Sequence, residues 1–392
     1  MKMKRKLSFF IIVLITLNLK AQDFVINHGP YLTNMTHDGV TIVWTTNKPA
    51  LSWVEIAPNE DDSFYKEERS AYYDELHGRR FTHKTLHSIR VNNLEPNESY
   101  RYRIFSKEVI DGESEKNTLY GKTIASDVFS KQPYLFTTYS ANDEPVSFLM
   151  FNDIHGQSSV IRNICKNADF KRLDFVLFNG DMSNRVTSEK QLFDDYIDVS
   201  IECFAKETPI IFARGNHETR GNYSYKLMNY FPTETGNFYY VQYIGNVAFL
   251  VLDGGEDKPD SDIEYSGTAD YDSYRTKQAE WISEVINTEQ FKKARARIVV
   301  LHVPPMKGSW HGNVDLQKKF MPLLNKANID LMLSGHIHSY FFSPASDNVN
   351  FPTLVNDNKS GVFCDILDDK IEVIIKDEKG NTTKKHQFNL KK

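Results

Sequence analysis

The chain has 392 residues, 40% of them hydrophobic and 25% charged. This ordinary globular balance excludes disorder, collagen and coiled coil as descriptions of the whole. With 47 Lys and Arg against 52 Asp and Glu the formal net charge is −5, without the basic excess that phosphate-backbone binders carry, so no nucleic-acid partner is expected.

At the start, Lys2, Lys4, Arg5 and Lys6 precede an apolar run from Leu7 to Leu19, and Ala21 supplies a small residue for cleavage. Together these make residues 1–21 a secretory signal peptide, because the run is shorter than the ~20 residues that span a bilayer. The mature chain is expected to have no membrane span and to reside in a periplasm or outside the cell. Three cysteines, Cys165, Cys203 and Cys364, leave room for one bridge but not for a disulfide framework. None stands in a Cys-x-x-Cys pair, so thiolate metal sites are excluded and buried, inert thiols are expected.

From Phe24 to about Thr138 short alternating runs are broken by turns. Val40–Thr46, Ser52–Ile56, Leu86–Val91 and Tyr100–Phe105 read as strands of an all-β sandwich. Leu94 to Tyr100 adds a turn with a Tyr opening the next strand, as in a tyrosine corner. Residues 24–138 thus resemble a fibronectin type III-like domain. Gly29-Pro30-Tyr31-Leu32 followed by Val40 to Trp44 is similar, more narrowly, to the N-terminal domain of purple acid phosphatases.

The polar segment 139–145 reads as a linker. Beyond it, in residues 146–392, apolar strand runs alternate with longer helical patterns such as Ser273–Thr288, which predicts an α/β layered domain. Five of these strands end in metal-ligating residue types. Val146–Phe151 runs into Asp153 and His155, Phe175–Phe178 into Asp181, Ile210–Phe212 into Asn216 and His217, Ile298–Leu301 into His302, and Leu331–Leu333 into His336 and His338. In open α/β sheets ligands bind outside the carboxyl ends of the strands, so the five endings can converge. Oxygen and imidazole donors suit Zn, Fe or Mn. The seven donors other than His217 exceed what one four-coordinate ion needs, and Asp181 shared between two ions uses them economically. Gly180, Gly215 and Gly335, beside the ligands, let the backbone approach the site closely.

Asp-x-His, Gly-Asp-x-x-Asn, Gly-Asn-His-Glu, a lone strand-end His and Gly-His-x-His stand in this order, and they resemble the five blocks of calcineurin-like metallophosphoesterases, with a central β-sheet pair flanked by helices. The resemblance implies one metal on Asp153, His155, Asp181 and His338, and a second on Asp181, Asn216, His302 and His336. It implies a pair of divalent or mixed-valence ions (Fe, Zn or Mn), and His217 beside the phosphate. Gln278-Ala279-Glu280-Trp281, read as opening a helix, and His302-Val303-Pro304-Pro305 followed by Ser309-Trp310-His311 are similar to the purple acid phosphatase branch. That likeness makes His311 a second substrate contact or general acid, and Asp315 a weaker one. The branch has Gly at His155 and an iron-binding Tyr at Asn184, so the implied enzyme is uncoloured. Arg214 and Asn184 are further substrate-contact candidates. The acidic segment Asp253–Asp272 reads first as a solvated loop and second as a substrate-selecting rim. The function implied is hydrolysis of phosphate monoesters, on a small molecule or a phosphorylated substrate, by in-line attack of a metal-bridging hydroxide. A phosphodiesterase on the same core, and a non-catalytic binding protein, are the alternatives.

Overall fold

A computed structural model describes residues 22–391 apart from 61, 67, 113–115 and 128–131. The expected signal peptide, residues 1–21, lies outside the described residues. No helix among the described residues is long and apolar enough to cross a membrane.

The N-terminal part is strand-rich. The runs expected as two strands, Val40–Thr46 and Ser52–Ile56, form one strand, Val40–Pro58. Its register shifts between Thr45 and Ala50, where Asn47-Lys48-Pro49 interrupts the alternation and Pro49 has no N–H to give to a ladder. Its first half pairs with Lys84–Val91 and its second with Ser99–Asp111. Val40, Ile42, Trp44, Val54 and Ile56 point into one core with Ile89 and Tyr102. Trp44 is fully buried, and its indole N–H is satisfied by Ser106 Oγ at 3.0 Å. The turn before Tyr100 closes as a tyrosine corner does, with the Glu95 amide donating to the Tyr100 hydroxyl at 2.9 Å.

The C-terminal part is built on two sheets. In the first, Val146–Phe151, Phe175–Asn179 and Ile210–Ala213 run parallel, and Ser360–Ile366, Lys370–Asp377 and Thr382–Asn389 extend the edge antiparallel. The second has Val247–Leu252, Ala296–Leu301, Leu331–Ser334 and Thr353–Val355 parallel, flanked by Tyr240–Ile244 and Phe341–Ser343. Alternate side chains leave a strand on opposite faces. Phe148, Phe175, Phe249, Val300 and Leu333 therefore meet between the sheets, with the Phe148 and Phe175 rings stacked at 4.9 Å and Phe249 edge-on to both. Leu149, Phe151, Val176 and Phe178 face the cluster formed with helices Ser158–Cys165 and Asp198–Cys203. Leu250, Leu252 and Leu301 face Ile282 and Leu316 of helices Tyr271–Val285 and His311–Lys319. Strands covered on both faces are apolar at nearly every position, which explains their unbroken runs in the sequence. Burying each such side chain contributes about 1.5–3 kcal/mol.

The two parts share a sheet, since Thr33 pairs in parallel with Ile210. The segment expected as a linker is tied down. Tyr139 is buried, and its amide donates to Thr36 O at 3.2 Å. The helix expected over Ser273–Thr288 runs from Tyr271 to Val285. It stops short because Thr288 caps the next helix, Glu289–Lys293, by accepting from the Phe291 amide. Gln278 lies inside that helix rather than at its start. Cys165 and Cys364 are buried and Cys203 is half-buried, all as free thiols.

Candidate metal centre

Parallel strands of both sheets deliver the polar strand ends to one edge of the two-sheet core. The chain then turns sharply at the donors themselves. Asp153, His155, Asp181, His336 and His338 all have left-handed backbone, with φ of 53°, 50°, 55°, 74° and 53°. Each such non-glycine residue costs on the order of 1 kcal/mol or more and persists only where its surroundings hold it. Here they do. The Asp153 amide donates to Gly180 O (3.0 Å), that of His155 to Asp181 O (2.9 Å), and that of His336 to Asp153 Oδ2 (2.7 Å). Glycine is required beside them: a Cβ on Gly215 would lie 2.2 Å from Asp181 Oδ1, and one on Gly180 2.5 Å from His302 Nδ1.

The seven expected ligands lie together. Ligand atoms of Asp153, His155 and His338 fall within 4.8 Å of one another, as do those of Asp181, His302 and His336. Asn216 Oδ1 is 3.0 Å from His336 Nδ1. Asp181 Oδ2 stands centrally, 3.0 Å from His302 Nε2, 3.9 Å from His217 Nε2 and 4.0 Å from His155 Nε2. The imidazole tips of His155 and His338 face each other at 2.9 Å.

These donors fit a pair of cations. Asp153 Oδ1 and His302 Nε2 are buried without a hydrogen-bond partner. His302 Nε2 stands 3.0 Å from Asp181 Oδ2, at ion-pair distance. His302 Nδ1 lies 2.7 Å from Asn179 O, which fixes the tautomer and turns the Nε2 lone pair to the centre. The Asn216 amide oxygen faces lone pairs, and only with oxygen and nitrogen exchanged would the amide donate to Asp181 Oδ2 and His336 Nδ1. Burial lowers the proton affinity of His302, but Asp181 and Asp153 outweigh it and push the imidazole up to about 10. Burial likewise raises the Asp181 carboxyl, and the His302 charge outweighs it, holding the group well below the usual carboxylate range. The centre therefore demands positive charge, which an ion supplies where a proton otherwise must.

Behind the donors lies a second layer that the strand-end pattern does not reveal. The buried Glu218 carboxylate accepts from the amides of Asp181 (2.8 Å), Met182 (2.6 Å), Ser183 (3.2 Å) and Gly215 (3.0 Å). It thereby holds two ligand loops together. Asn152 donates to Asp153 Oδ2 at 2.7 Å. The acidic segment, expected as a solvated loop, begins buried instead: Asp253, Glu256 and Asp257 are all enclosed. Glu256 forms a two-pronged ion pair with Arg220, and Asp257 Oδ2 lies 3.6 Å from His336 Nε2. A Glu and Asp in an acidic run, and an Arg 36 positions before them, leave only the motif neighbour Gly-Asn-His-Glu as a signal.

Of the remaining site candidates, His217 is at the centre, with Nδ1 2.9 Å from Asn184 O. Asn184 acts there through its backbone carbonyl, while its amide donates to His155 O at 3.3 Å. Arg214 is turned away from the expected phosphate contact. It pairs with Asp253 at 2.6 Å and lies over the Phe238 ring. His311 opens the helix His311–Lys319 and bonds Asp272 at 2.7 Å. Asp315 is occupied by Arg275 (2.6 Å) and Lys319 (2.7 Å), an ion-pair role in place of a substrate contact.

A two-sheet α/β frame with oxygen and imidazole donors at its strand ends defines the metallophosphoesterase class. The calcineurin-like phosphoesterase family matches residues 146–340, and the purple acid phosphatase N-terminal domain matches residues 29–130. Purple acid phosphatase 21 of Arabidopsis thaliana is 23% identical over 272 residues, covering 65% of this chain and 52% of that protein. The chain thus spans about half the length of that curated relative. Its fold matches purple acid phosphatase PPD1 from yellow lupin (Lupinus luteus) seeds with a TM-score of 0.63 at 17% identity, over 91% of this chain and 73% of that one. The chain thus carries a purple acid phosphatase N-terminal domain followed by a calcineurin-like phosphoesterase domain.

Proposed function

We propose that this chain is an exported enzyme that hydrolyses phosphate monoesters at a two-metal centre. The observation that carries this reading is the convergence of seven donors from five strand ends, with Asp153 Oδ1 and His302 Nε2 buried without a hydrogen-bond partner. Asp153, His155, Asp181 and His338 would hold one ion, and Asp181, Asn216, His302 and His336 the other. When bound, such a pair neutralises phosphoryl charge and activates water as the nucleophile. The chain's own part is orientation. Asn179 O aims His302, Glu218 fixes the Asp181 loop, and Asn184 O holds the His217 ring. His217 Nε2, 3.9 Å from Asp181 Oδ2, stands where a departing oxygen needs a proton or a charge partner. Export is supported by the basic and apolar composition of residues 1–21.

The test is turnover of p-nitrophenyl phosphate and its bis ester after loading with zinc, manganese or iron. The monoester is expected to be the faster substrate. Asp181→Asn is expected to lose metal uptake and activity together, the rate falling by more than about 100-fold. Unchanged turnover in that variant rejects the shared role of Asp181. No turnover of either ester by the loaded parent rejects the enzyme.

A further inference from the structure

We propose that Arg220 is a substrate-binding residue, its guanidinium held out to a non-bridging oxygen of the phosphate beside His217. The proposal rests on the phosphoesterase reading above. The fork of Arg220 is fixed from behind: Nε donates to Glu256 Oε2 and Nη2 to Glu256 Oε1, both at 2.8 Å. Glu256 is itself fully buried, and it also accepts from its neighbour's amide at 2.9 Å and from the Tyr265 hydroxyl. Tyr265 in turn bonds Thr219 Oγ1 at 2.6 Å. The carrier of Glu256 is rigid as well, because the buried Arg275 donates to Gly254 O and Glu256 O, each at 3.0 Å.

Only Nη1 is turned the other way. It lies 3.1 Å from His217 Nε2 and 3.5 Å from Nδ1, against the imidazole. Nη1 carries two N–H groups, and His217 is its hydrogen-bonding neighbour among the described residues, so a donor remains for an anion. A guanidinium whose rotamer is already set loses little entropy on binding, and it meets phosphate oxygens with fork geometry. Arg214, the residue whose position in the sequence suggested this role, is committed to Asp253; Arg220 supplies the charge instead. A phosphate monoester carries one more anionic oxygen than a diester, so a fixed cation beside His217 favours the monoester.

The test measures binding of inorganic phosphate to the metal-loaded protein by calorimetry, with kcat and KM on p-nitrophenyl phosphate and its bis ester, and metal per chain. Arg220→Ala is expected to weaken phosphate binding by about tenfold or more, and to lower kcat/KM on the monoester more than on the diester. Arg220→Lys, which keeps a cation for Glu256 but not the fork, should recover part of the phosphate affinity. Phosphate affinity within about twofold of the parent in both variants overturns the proposal, as does an equal loss on both esters or an effect confined to metal loss. A parent that binds phosphate through Arg220 yet turns over neither ester leaves the binding role standing and removes the monoesterase reading.

Discussion

Asp174 shows what partial burial, with Asp365 nearby, does to a carboxylate away from the metal centre. It precedes the strand Phe175–Asn179, accepts from the Ser147 amide at 2.8 Å, and its carboxyl is pushed up to about 6, first by burial and against the help of that hydrogen bond. An acid whose folded pKa is raised binds more protons folded than unfolded, so its contribution to stability is full below the unfolded value and declines as pH rises toward 6. Asp174→Asn keeps an oxygen for the Ser147 amide and removes the titration. Urea melts of the two proteins from pH 4 to pH 7 should therefore converge or cross in the variant's favour as pH rises. A difference in midpoint that stays constant across that range would exclude the assignment.

At the scale of elements, helix Tyr271–Val285 acts as a clamp on the segment behind the centre. Gln278, fully buried, accepts from the Asp253 amide at 2.9 Å and donates to Asp253 O at 2.6 Å. Gln278→Ala leaves both backbone groups buried without partners, at a cost of about 1–3 kcal/mol each, and frees the segment that carries Glu256. A denaturant melt should show the loss, and hydrogen exchange should rise at residues 253–257; unchanged protection there would show that Arg275 suffices as the clamp. The strand ends were legible because burial on both faces writes an unbroken apolar run, and a polar residue closing such a run is conspicuous. The runs 40–46 and 52–56 looked like two strands because Lys48-Pro49 reads as a break, although sheet pairing carries the backbone through it. Arg220, Glu256 and Glu218 were illegible as a set, because contacts between distant positions leave no period. Asp253–Asp272 has the composition of a solvated loop, yet buried arginines invert the meaning of its charge.

In the whole molecule the centre is also a seam. Asp153, Asp181 and Asn216 follow strands of one sheet, and His302, His336 and His338 follow strands of the other. Ions held among them would join the two sheets across the end of their shared core, at positions where five left-handed donors already strain the backbone. Without a cation, the buried carboxylates Asp153 and Asp181 are balanced by protonated imidazole, from the buried His302 beside both and from His338, 3.3 Å from Asp153 Oδ1. Metal binding is then linked to folding, and a ligand at 100 times its Kd adds about 2.7 kcal/mol to stability. Removal of metal with a chelator should lower Tm by several degrees, and readdition of the metal should restore it. In Asp181→Asn, where the shared ligand is lost, the chelator should change Tm little. Equal chelator sensitivity in the variant and the parent would mean that the stabilising ion sits elsewhere.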